Sequence, residues 1–285
     1  MKHIIDIHTH PAFFEMINHK EEMLEKRQQV LGLYKAGTAS LNHVFNQMKV
    51  AEIDRLGLLP LDLTTQAGFE VVSNEEIAAI VSESPDRFIG FASVDPYRKD
   101  VLDVLERAFT DLGLKGLKLH PAKQRFNPGD AIMRPIYELC LKYDKPIIFH
   151  AGLSLEPDAP VSFGHPLGFE EVAGRYPQLR ICLAHFGWPW VKETAALLLK
   201  YPNIYTDTAL LYFDSAHEFY QHVFCEELGK YWIDRSLRHQ VMFGSNNPRF
   251  EQIRMAQAIQ QLGWRDSTVE LVLRENALEF IREEN

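Results

Sequence analysis

The segment IIDIHTH, residues 4–10, is the most informative stretch of this chain. It is an apolar run that ends in His8 and His10. Side chains two residues apart on a β-strand point to the same side, so a strand here would aim both imidazole rings at one point. Such a pair is half of a metal site, although histidines that only pack or face solvent are the alternative. Three more histidines, at positions 120, 150 and 185, end other apolar runs, which favours the metal site.

Apolar runs alternate with helical patterns along the rest of the chain. Ser73 and Glu76 form a predicted capping box at the start of one of these helices. Strands that alternate with helices are typical of parallel βα units. The predicted strands are residues 4–8, 58–63, 88–94, 116–120, 146–150, 180–185, 203–207 and 240–244. The predicted helices are residues 74–84, 100–112, 135–143, 169–176, 191–201, 248–262 and 267–282.

Two α/β architectures are compatible with this alternation. An open, doubly wound sheet usually carries a glycine-rich phosphate loop after an early strand, and the chain has no GxGxxG or GxxxxGK[ST] motif. In a (β/α)8 barrel the C-terminal ends of all strands face one mouth, which would bring the polar residues at the strand ends together. We therefore predict a distorted (β/α)8 TIM barrel, a single domain over residues 1–285 with an insertion at about 13–40 and a C-terminal helix.

The composition narrows the class of protein. The chain has 285 residues, of which 46% are hydrophobic and 24% charged, and its net charge is −9. An acidic balance argues against binding of nucleic acid or an anionic membrane, and no apolar stretch approaches the ~18–20 residues that span a bilayer. The chain begins directly with the first strand, so we expect no signal peptide. Cys140, Cys182 and Cys225 form no CxxC motif, so we expect reduced thiols in a cytoplasmic protein.

Two long segments interrupt the predicted barrel. The insertion at 13–40 is too long for a simple βα loop, and its polar stretch at 19–29 predicts an exposed helix over the mouth. Residues 211–238, before the last strand, are rich in aromatic side chains. Each segment is either a solvated element without chemistry, or a lid or homodimer contact that shapes the access of a small-molecule substrate.

His150 and His185 end buried runs and would point into the mouth of a barrel. His150 follows the apolar run PIIF, and we expect the Ala151-Gly152 pair after it to leave room around the ring. His185 could bind a metal or act as a general base or acid. His120 could be a ligand, bind substrate or be held by hydrogen bonds in the wall. Satisfied core histidines are the structural alternative.

A catalytic metal site also needs a carboxylate that orients or deprotonates water, and we expect it at the end of the last strand. The sequence there is FGSNNP, residues 243–248, so Asn246 stands where an acid is expected. An amide oxygen can coordinate a metal, but weakly, and it cannot take a proton.

Six motifs together resemble the amidohydrolase-related proteins. This branch of the amidohydrolase superfamily holds aminocarboxymuconate-semialdehyde decarboxylase, the resorcylate and carboxyvanillate decarboxylases, and several lactone and amide hydrolases. The resemblance covers nearly the whole chain, and the motifs together are far more specific for the fold and the metal site than for the reaction. They are DIHTHP at 6–11, GLKLHP at 116–121, PIIFHAG at 146–152, AHFGWP at 184–189, YTDTA at 205–209 and FGSNNP at 243–248.

The resemblance implies roles for five residues. His8, His10 and His150 are similar to the histidines that bind one divalent metal ion, expected to be zinc, with manganese as the alternative. His185 resembles the histidine that acts on bound water or substrate. Asn246 occupies the place of the metal-binding aspartate in the GSDxP pattern of the family, so this candidate ligand and catalytic position departs from the family. A natural enzyme with altered metal chemistry, an inactive relative and a deliberate substitution are all compatible with that departure.

Other polar residues near strand ends are also candidates. Asp207 either replaces the missing carboxylate in catalysis or holds a neighbouring loop. Substrates in this branch are typically carboxylated or aromatic, so a cation is expected at the mouth, and solvated surface charge is the alternative for each cation. The candidates to bind substrate are His120, Arg125 and Arg249, with Lys123 beside them.

The function predicted from these residues is that of a metal-dependent hydrolase acting on a small, carboxylated or cyclic substrate. Metal-polarised water would attack a carbonyl carbon, and His185 would assist proton transfer. Non-oxidative decarboxylation on the same metal site is the alternative, with His185 helping to protonate the carbon that loses CO2. A catalytically silent barrel that binds a small molecule is a third interpretation, and it depends on Asn246.

Overall fold

The computed structural model describes residues 3–210 and 215–283, and a parallel sheet is its central element. The strands are β1 (Ile4–Thr9), β2 (Ile53–Leu58), β3 (Leu61–Leu63), β4 (Phe69–Val72), β5 (Phe88–Ala92), β6 (Gly116–Leu119), β7 (Ile147–Phe149), β8 (Ile181–Leu183), β9 (Ile204–Asp207) and β10 (Val241–Met242). Within the described residues, eight strands form the parallel sheet in the order β1-β2-β5-β6-β7-β8-β9-β10. Strands β3 and β4 pair antiparallel in a separate small sheet.

The first and last strands of the sheet meet, and this contact closes a barrel. The Ile7 amide donates to the Phe243 carbonyl oxygen at 3.0 Å, and the Asn246 amide donates to the His8 carbonyl oxygen at 2.9 Å. Residues from opposite ends of the chain are therefore neighbours at the mouth. The predicted distorted (β/α)8 barrel is confirmed.

Helices between the strands pack their apolar residues against the sheet in one core. The α-helices are α1 (Glu21–Leu31), α2 (Leu41–Val50), α3 (Thr64–Ala67), α4 (Asn74–Glu83), α5 (Val101–Thr110), α6 (Pro121–Gln124), α7 (Arg134–Lys142), α8 (Glu170–Arg175), α9 (Val191–Lys200), α10 (Ala216–Tyr220), α11 (Gln252–Gln261), α12 (Asp266–Glu270) and α13 (Asn276–Ile281). The 3-10 segments are Pro11–Phe13, Glu15–Ile17, Ala131–Met133, Val161–Gly164, Pro166–Phe169 and Ala184–Gly187, and the π-helical segments are Gln221–Glu227, Trp232–Leu237 and Leu271–Glu275. Among the described residues, no helix is long and apolar enough to cross a membrane.

The capping box at the start of α4 forms as predicted. The Glu76 amide donates to Ser73 Oγ at 3.2 Å, and the Ser73 amide donates to Glu76 Oε2 at 2.9 Å. Two backbone N–H groups that the first helical turn cannot satisfy are thus satisfied by the two side chains. The local sequence signal was sufficient here because both bonds lie within one turn.

The second strand of the barrel is not where the sequence pattern placed it. The prediction of residues 58–63 was wrong, because the barrel strand is Ile53–Leu58 and Leu61–Leu63 turns away to pair with β4. Pro60 has no amide hydrogen, so a central strand cannot continue through it. The real strand was hidden by its polar start, where Arg55 pairs with Glu283 at 2.6 Å on the rim.

The C-terminal segment closes the barrel at the end opposite the mouth. The predicted helix at 267–282 consists of α12, the π-helical segment Leu271–Glu275 and α13 in succession. The Phe243 amide donates to the Val272 carbonyl oxygen at 2.7 Å, which ties this segment to the last strand. Phe280 is fully buried and belongs to the same apolar cluster as Ile5 and Ile148 from inside the barrel. This end of the barrel is therefore sealed by side chains.

The insertion after β1 is fixed to the body of the protein by one buried arginine. Arg27, on α1, is only 1% exposed. Its guanidinium donates to the Val71 carbonyl oxygen at 2.7 Å, the Ile17 carbonyl oxygen at 2.6 Å and Glu76 Oε1 at 2.7 Å. The predicted exposed helix at 19–29 is thus α1, and only part of it is solvated.

The aromatic-rich segment at 211–238 is described from residue 215 onward, and residues 211–214 lie outside the described residues. The described part is helical. Tyr220 and Phe224 are buried in it, whereas Tyr231 and Trp232 are 50% and 43% exposed. Most of its helical turns are π-helical rather than α-helical.

Candidate metal centre

The ends of the barrel strands bring five histidines of the described residues together at the mouth. His8 lies in β1 with His10 just past its end, His120 and His150 directly follow β6 and β7, and His185 is the second residue after β8. The ring centroids are 5.2 Å apart for His8 and His10, 4.8 Å for His8 and His185, 4.6 Å for His150 and His185, and 3.9 Å for the stacked rings of His120 and His150. The convergence expected from the barrel geometry is present.

Burial keeps all five imidazole rings neutral at ordinary pH. Loss of hydration lowers the pKa of four of them well below the usual value, and it lowers the pKa of His185 to about 3. The positive charge of Lys118 acts in the same direction on every one of them. A neutral imidazole keeps a lone pair on one nitrogen, which is the form that binds a metal.

A chain of hydrogen bonds determines which nitrogen of His185 and of His150 carries the hydrogen. The Ala209 carbonyl oxygen can only accept, so His185 Nδ1 donates to it. In a neutral ring His185 Nε2 is then an acceptor, and it takes the hydrogen bond from His150 Nδ1 at 3.1 Å. His150 Nε2 consequently keeps a lone pair, and it is buried without a hydrogen-bond partner in the described part of the chain.

His8 and His10 have the same tautomer as His150. Asp207 accepts a hydrogen bond from His8 Nδ1 at 2.8 Å, and the Leu59 carbonyl oxygen accepts one from His10 Nδ1 at 3.3 Å. Both Nε2 atoms are left with lone pairs, and that of His8 is also buried without a partner within residues 3–210 and 215–283. A carboxylate behind a histidine orients the ring and strengthens the other nitrogen as a ligand, which is the role this geometry gives Asp207.

His120 has the opposite tautomer. Its Nδ1 accepts a hydrogen bond from the Lys123 amide at 3.3 Å, so in a neutral ring Nε2 carries the hydrogen. A nitrogen with a hydrogen cannot bind a metal, but it can donate to an oxygen of a substrate. His120 therefore fits the predicted substrate-binding role better than a ligand role.

The donor set fits a divalent metal ion. Two orphaned, buried Nε2 atoms with lone pairs are costly unless a cation occupies the space they face. The ligand atoms of His8, His185 and Asp207 lie within 4.8 Å of one another, and all three residues are buried. These three residues lie close together partly because Asp207 accepts a hydrogen bond from the His8 ring and another from the His185 amide, the latter at 2.8 Å. The predicted ligands His10 and His150 lie around this group.

Asn246 has the unusual backbone conformation that the mouth requires. Its φ angle is 61°, in the left-handed region that Asn tolerates better than most residues, and His185 and Phe186 have φ angles of 61° and 49°. The Asn246 side chain lines the cavity and forms no hydrogen bond with the described residues. Residues held in sparsely populated conformations cluster at functional sites, which fits these three positions.

Gly152 serves a purpose different from the one expected. The prediction that the Ala151-Gly152 pair leaves room around the His150 ring was wrong for the glycine. Its φ angle is +85°, and an added Cβ would lie 2.2 Å from the Trp188 carbonyl oxygen. The glycine is required because the backbone after β7 and the backbone after β8 touch at this point.

Four of the five histidines, His10, His120, His150 and His185, line a cavity of about 70 Å³ that opens to solvent. Apolar side chains make up most of its wall, and several come from the insertion and from the β3–β4 hairpin. Polar groups lie at the floor and at one side of the mouth. The polar and charged lining residues are His10, Lys118, His120, Lys123, His150, Ser154, Glu156, His185, Asn246 and Arg249.

Lys118 is a lining residue that the sequence analysis missed. It is 3% exposed, and its Nζ atom has no hydrogen-bond partner among the described residues. A signal for it existed, because Lys118 precedes His120 by two residues and so lies on the same side of the strand.

The cations predicted to bind substrate have different positions. Lys123 and Arg249 line the cavity and share Glu156, at 3.5 Å and 3.1 Å, which is also a residue that the sequence analysis missed. Arg249 also donates to the Leu31 carbonyl oxygen at the end of α1. Arg125 does not line the cavity, because its guanidinium lies outside and donates to the Asp158 carbonyl oxygen.

Asp207 does not reach the cavity either. It is fully buried behind His8, and its second oxygen accepts from the His185 amide at 2.8 Å and the Ala209 amide at 3.1 Å. All of its contacts hold other parts of the site in place. The interpretation in which Asp207 holds a neighbouring segment accounts for these bonds.

Comparison with known proteins identifies the family of this chain. The family model described as amidohydrolase matches residues 5–282. A curated relative, 2-amino-3-carboxymuconate-6-semialdehyde decarboxylase from Dictyostelium discoideum, is 30% identical over 130 residues. That alignment covers 40% of this chain and 36% of the relative.

Solved structures with the same fold cover the whole chain. An uncharacterized TIM-barrel protein from Bordetella bronchiseptica has a TM-score of 0.78 at 21% identity and covers 98% of both chains. A dihydroxybenzoic acid decarboxylase from Polaromonas, with bound manganese and the inhibitor 2-nitroresorcinol, has a TM-score of 0.70 at 18% identity and covers 99% of this chain and 97% of that one. At these identities the likeness establishes the fold.

Proposed function

Because this chain belongs to the amidohydrolase family and is a metal-dependent enzyme of that superfamily, we propose that it removes a carboxyl group from a small, cyclic or unsaturated acid. The proposal selects decarboxylation over the hydrolysis predicted from the sequence. The partly matching relative and the manganese-bound neighbour, both decarboxylases, support this choice.

The observation that carries the proposal is that, within residues 3–210 and 215–283, no free carboxylate lines the floor of the cavity. Asn246 provides an amide where hydrolysis would need a group that accepts a proton from water. Among the described residues that line the cavity, Glu156 alone has a carboxylate, and Lys123 and Arg249 already pair with it. Decarboxylation needs no water-activating base, so this donor set suits it.

The chain would hold one divalent cation through the Nε2 atoms of His8, His10 and His150 and the amide oxygen of Asn246. Imidazole ligands suit zinc, whereas an oxygen ligand and the manganese of the neighbour favour manganese, so we propose one of these two ions. A bound cation would supply Lewis-acid polarisation of the substrate oxygens. Asp207 and the Leu59 carbonyl would keep two of the rings in the ligating orientation.

His185 and His120 would handle protons and orientation. Cleavage of the bond to the carboxyl group releases CO2 and leaves an electron pair on carbon, so one proton must be delivered to that carbon in each turnover. His185 lines the cavity, and its Nε2 atom, on leaving the hydrogen bond from His150 Nδ1, would take a proton from solvent and pass it to this carbon. His120 would donate from Nε2 to a substrate oxygen. The apolar wall would keep bulk water away from the reacting carbon.

The test is product analysis with the full chain loaded with zinc or manganese. We would incubate it with hydroxybenzoates and unsaturated dicarboxylic acids, and separately with lactones and amides, and measure CO2 and hydrolysis products. Release of CO2 that stops on chelation and returns with metal is the expected result. His185→Gln should abolish turnover but retain bound metal, because the amide oxygen of glutamine can still accept from His150 Nδ1; the exposed His239→Gln is the matched control.

Two other outcomes would reject the proposal. Hydrolysis of lactones or amides without CO2 release would restore the hydrolase prediction. No turnover of any class by metal-loaded protein would favour the silent barrel that binds a small molecule.

A further inference from the structure

Lys118 is a buried cation that lines the cavity and lacks a hydrogen-bond partner in the described part of the chain. It lies on β6 and is 3% exposed, and its Nζ atom forms no hydrogen bond with any described residue. Burying an ammonium group without compensation is expensive, so a retained buried lysine calls for a partner. Loss of hydration lowers its pKa to about 8, and Asp207 partly opposes this shift.

The nearby anion cannot be that partner in this arrangement. Asp207 interacts electrostatically with Lys118, but its oxygens accept hydrogen bonds from the His8 ring and from the amides of His185 and Ala209. A shift of Asp207 toward the lysine would break the bond that orients His8. Lys118 is one of the residues that line the cavity, so the cavity is the side from which an anion would approach its buried Nζ atom.

The other cations of the cavity are already engaged at its mouth. Lys123 donates to the Val30 carbonyl oxygen at 2.5 Å and pairs with Glu156. Arg249 donates to the Leu31 carbonyl oxygen and pairs with the same carboxylate. Their donors hold the end of α1 in place, so among the described lysines and arginines that line the cavity Lys118 is the one whose side chain forms no ion pair or hydrogen bond.

We propose that Lys118 binds a carboxylate of the substrate and selects acids over neutral molecules of the same shape. This inference deepens the proposed function and rests on it for the identity of the ligand as a substrate. An ammonium group and a carboxylate form a charge-assisted hydrogen bond, which is roughly twice as strong as a neutral one. The surrounding leucine and valine side chains would contact the hydrocarbon part of the acid.

The replacement of an acid by Asn246 strengthens this selectivity. An aspartate at that position would place a negative charge beside the cavity and repel an incoming carboxylate. With an amide there, Lys118 faces the cavity without a competing anion among the described residues at the floor. The positive charge is then available to the ligand.

Benzoate and benzamide are suitable probes because they share a shape and differ in charge. Their binding to the full chain would be measured by calorimetry, in metal-loaded protein and again after dialysis against a chelator. The Lys118→Met variant should bind benzoate about ten- to hundredfold more weakly in both forms, since a hydrogen bond to a charged group is lost. Benzamide binding should change less than about twofold, and Lys118→Arg should retain most of the preference for benzoate.

Lys115→Met is the matched control, because Lys115 precedes the same strand at its other end and pairs with Glu283. It should leave the binding of both probes unchanged. Thermal melting would check that each variant folds, and Lys118→Gln replaces Lys118→Met if the latter does not. Equal loss of both probes, no loss of either, or no preference for benzoate in the unsubstituted protein would overturn the proposal.

This result is separable from the proposed reaction. CO2 release by Lys118→Met with an unchanged KM would reject the role of Lys118 and leave the decarboxylase intact. A Lys118-dependent preference for benzoate, without release of CO2 from any acid, would reject the decarboxylase and leave the carboxylate site intact.

Discussion

The tautomer of each histidine ring determines whether its Nε2 atom can bind a metal. His8, His10 and His150 all donate through Nδ1, so their Nε2 atoms have lone pairs. His120 accepts through Nδ1 and is excluded from that set. The ligand assignment implied by the resemblance therefore has an independent physical basis, although binding of a metal stays a prediction until it is measured.

Asn246→Asp should tighten metal binding, because it adds a negative charge next to the ligand nitrogens. Under the decarboxylase proposal it should also raise KM for an anionic substrate, since the cavity floor becomes less positive. Metal affinity by competition with a chromophoric chelator and KM from initial rates would check both effects.

The exposed Asn46→Asp, which adds the same charge on α2, should change neither quantity. If Asn246→Asp instead produced hydrolysis, the aspartate would be acting as a general base, which typically contributes about 10²–10⁴-fold to a rate. The hydrolase prediction would then have the stronger support.

Asp207→Asn should weaken metal binding by about 10–100-fold, the usual cost of losing a group that orients a ligating histidine. The side chain stays the same size, so folding should be retained. Metal affinity would be measured by equilibrium dialysis, with the exposed Asp103→Asn as the control. An unchanged affinity would mean that His8 is not a ligand.

Among the secondary-structure elements, the loops after β7 and β8 determine the geometry of the site. His150 and His185 begin these loops, and the two backbones touch at Gly152 and Trp188. Their approach is close because position 152 lacks a Cβ. The contact therefore sets the distance between two of the site histidines.

Gly152→Ala should destabilise the protein by about 1–3 kcal/mol, because a Cβ at this left-handed position strains the backbone. It should also push the Trp188 carbonyl away and weaken the bond between His150 and His185. Chemical denaturation and metal affinity are the measurements. Gly168→Ala is the matched control, since a Cβ there meets nothing within 4 Å. Equal behaviour of the two variants would contradict the assignment.

The barrel as a whole separates stability from chemistry. Its mouth carries the histidines and the cavity, whereas its other end is sealed by the C-terminal segment around Phe280. In TIM barrels the residues at the mouth usually serve catalysis, whereas the residues at the opposite end serve stability. Two predictions about partners remain untested. One is a homodimer contact through the insertion, and the other is the binding of a small-molecule substrate.

Phe280→Ala should lower the free energy of unfolding by about 3–5 kcal/mol, because a fully buried aromatic side chain is removed. Metal affinity and KM of the folded protein should not change, since the substitution lies at the sealed end. Leu199→Ala, at a position that is 56% exposed, should have little effect on stability. A selective loss of metal affinity in Phe280→Ala would show that the two ends are coupled.

The primary structure alone was sufficient for the fold class and for the histidine set. Both depend on local periodicity: apolar runs of strand length predict strands, and residues two apart share a side. The barrel mouth then follows from parallel connectivity. The second strand was predicted at the wrong place. Its first residues are polar and weaken the apolar pattern, whereas the neighbouring apolar run that was predicted instead contains Pro60.

Contacts between distant segments were accessible only from the folded chain. No local sequence pattern predicts that Asp207 contacts His8 or that Gly152 contacts Trp188. Nor does one predict that the Lys118 ammonium group is buried without a hydrogen bond to any described residue. Each of these depends on how strands from different parts of the chain pack in three dimensions. Sequence periodicity predicts the face of a strand or helix on which a side chain lies. Only the packing of the folded chain determines which groups that side chain contacts.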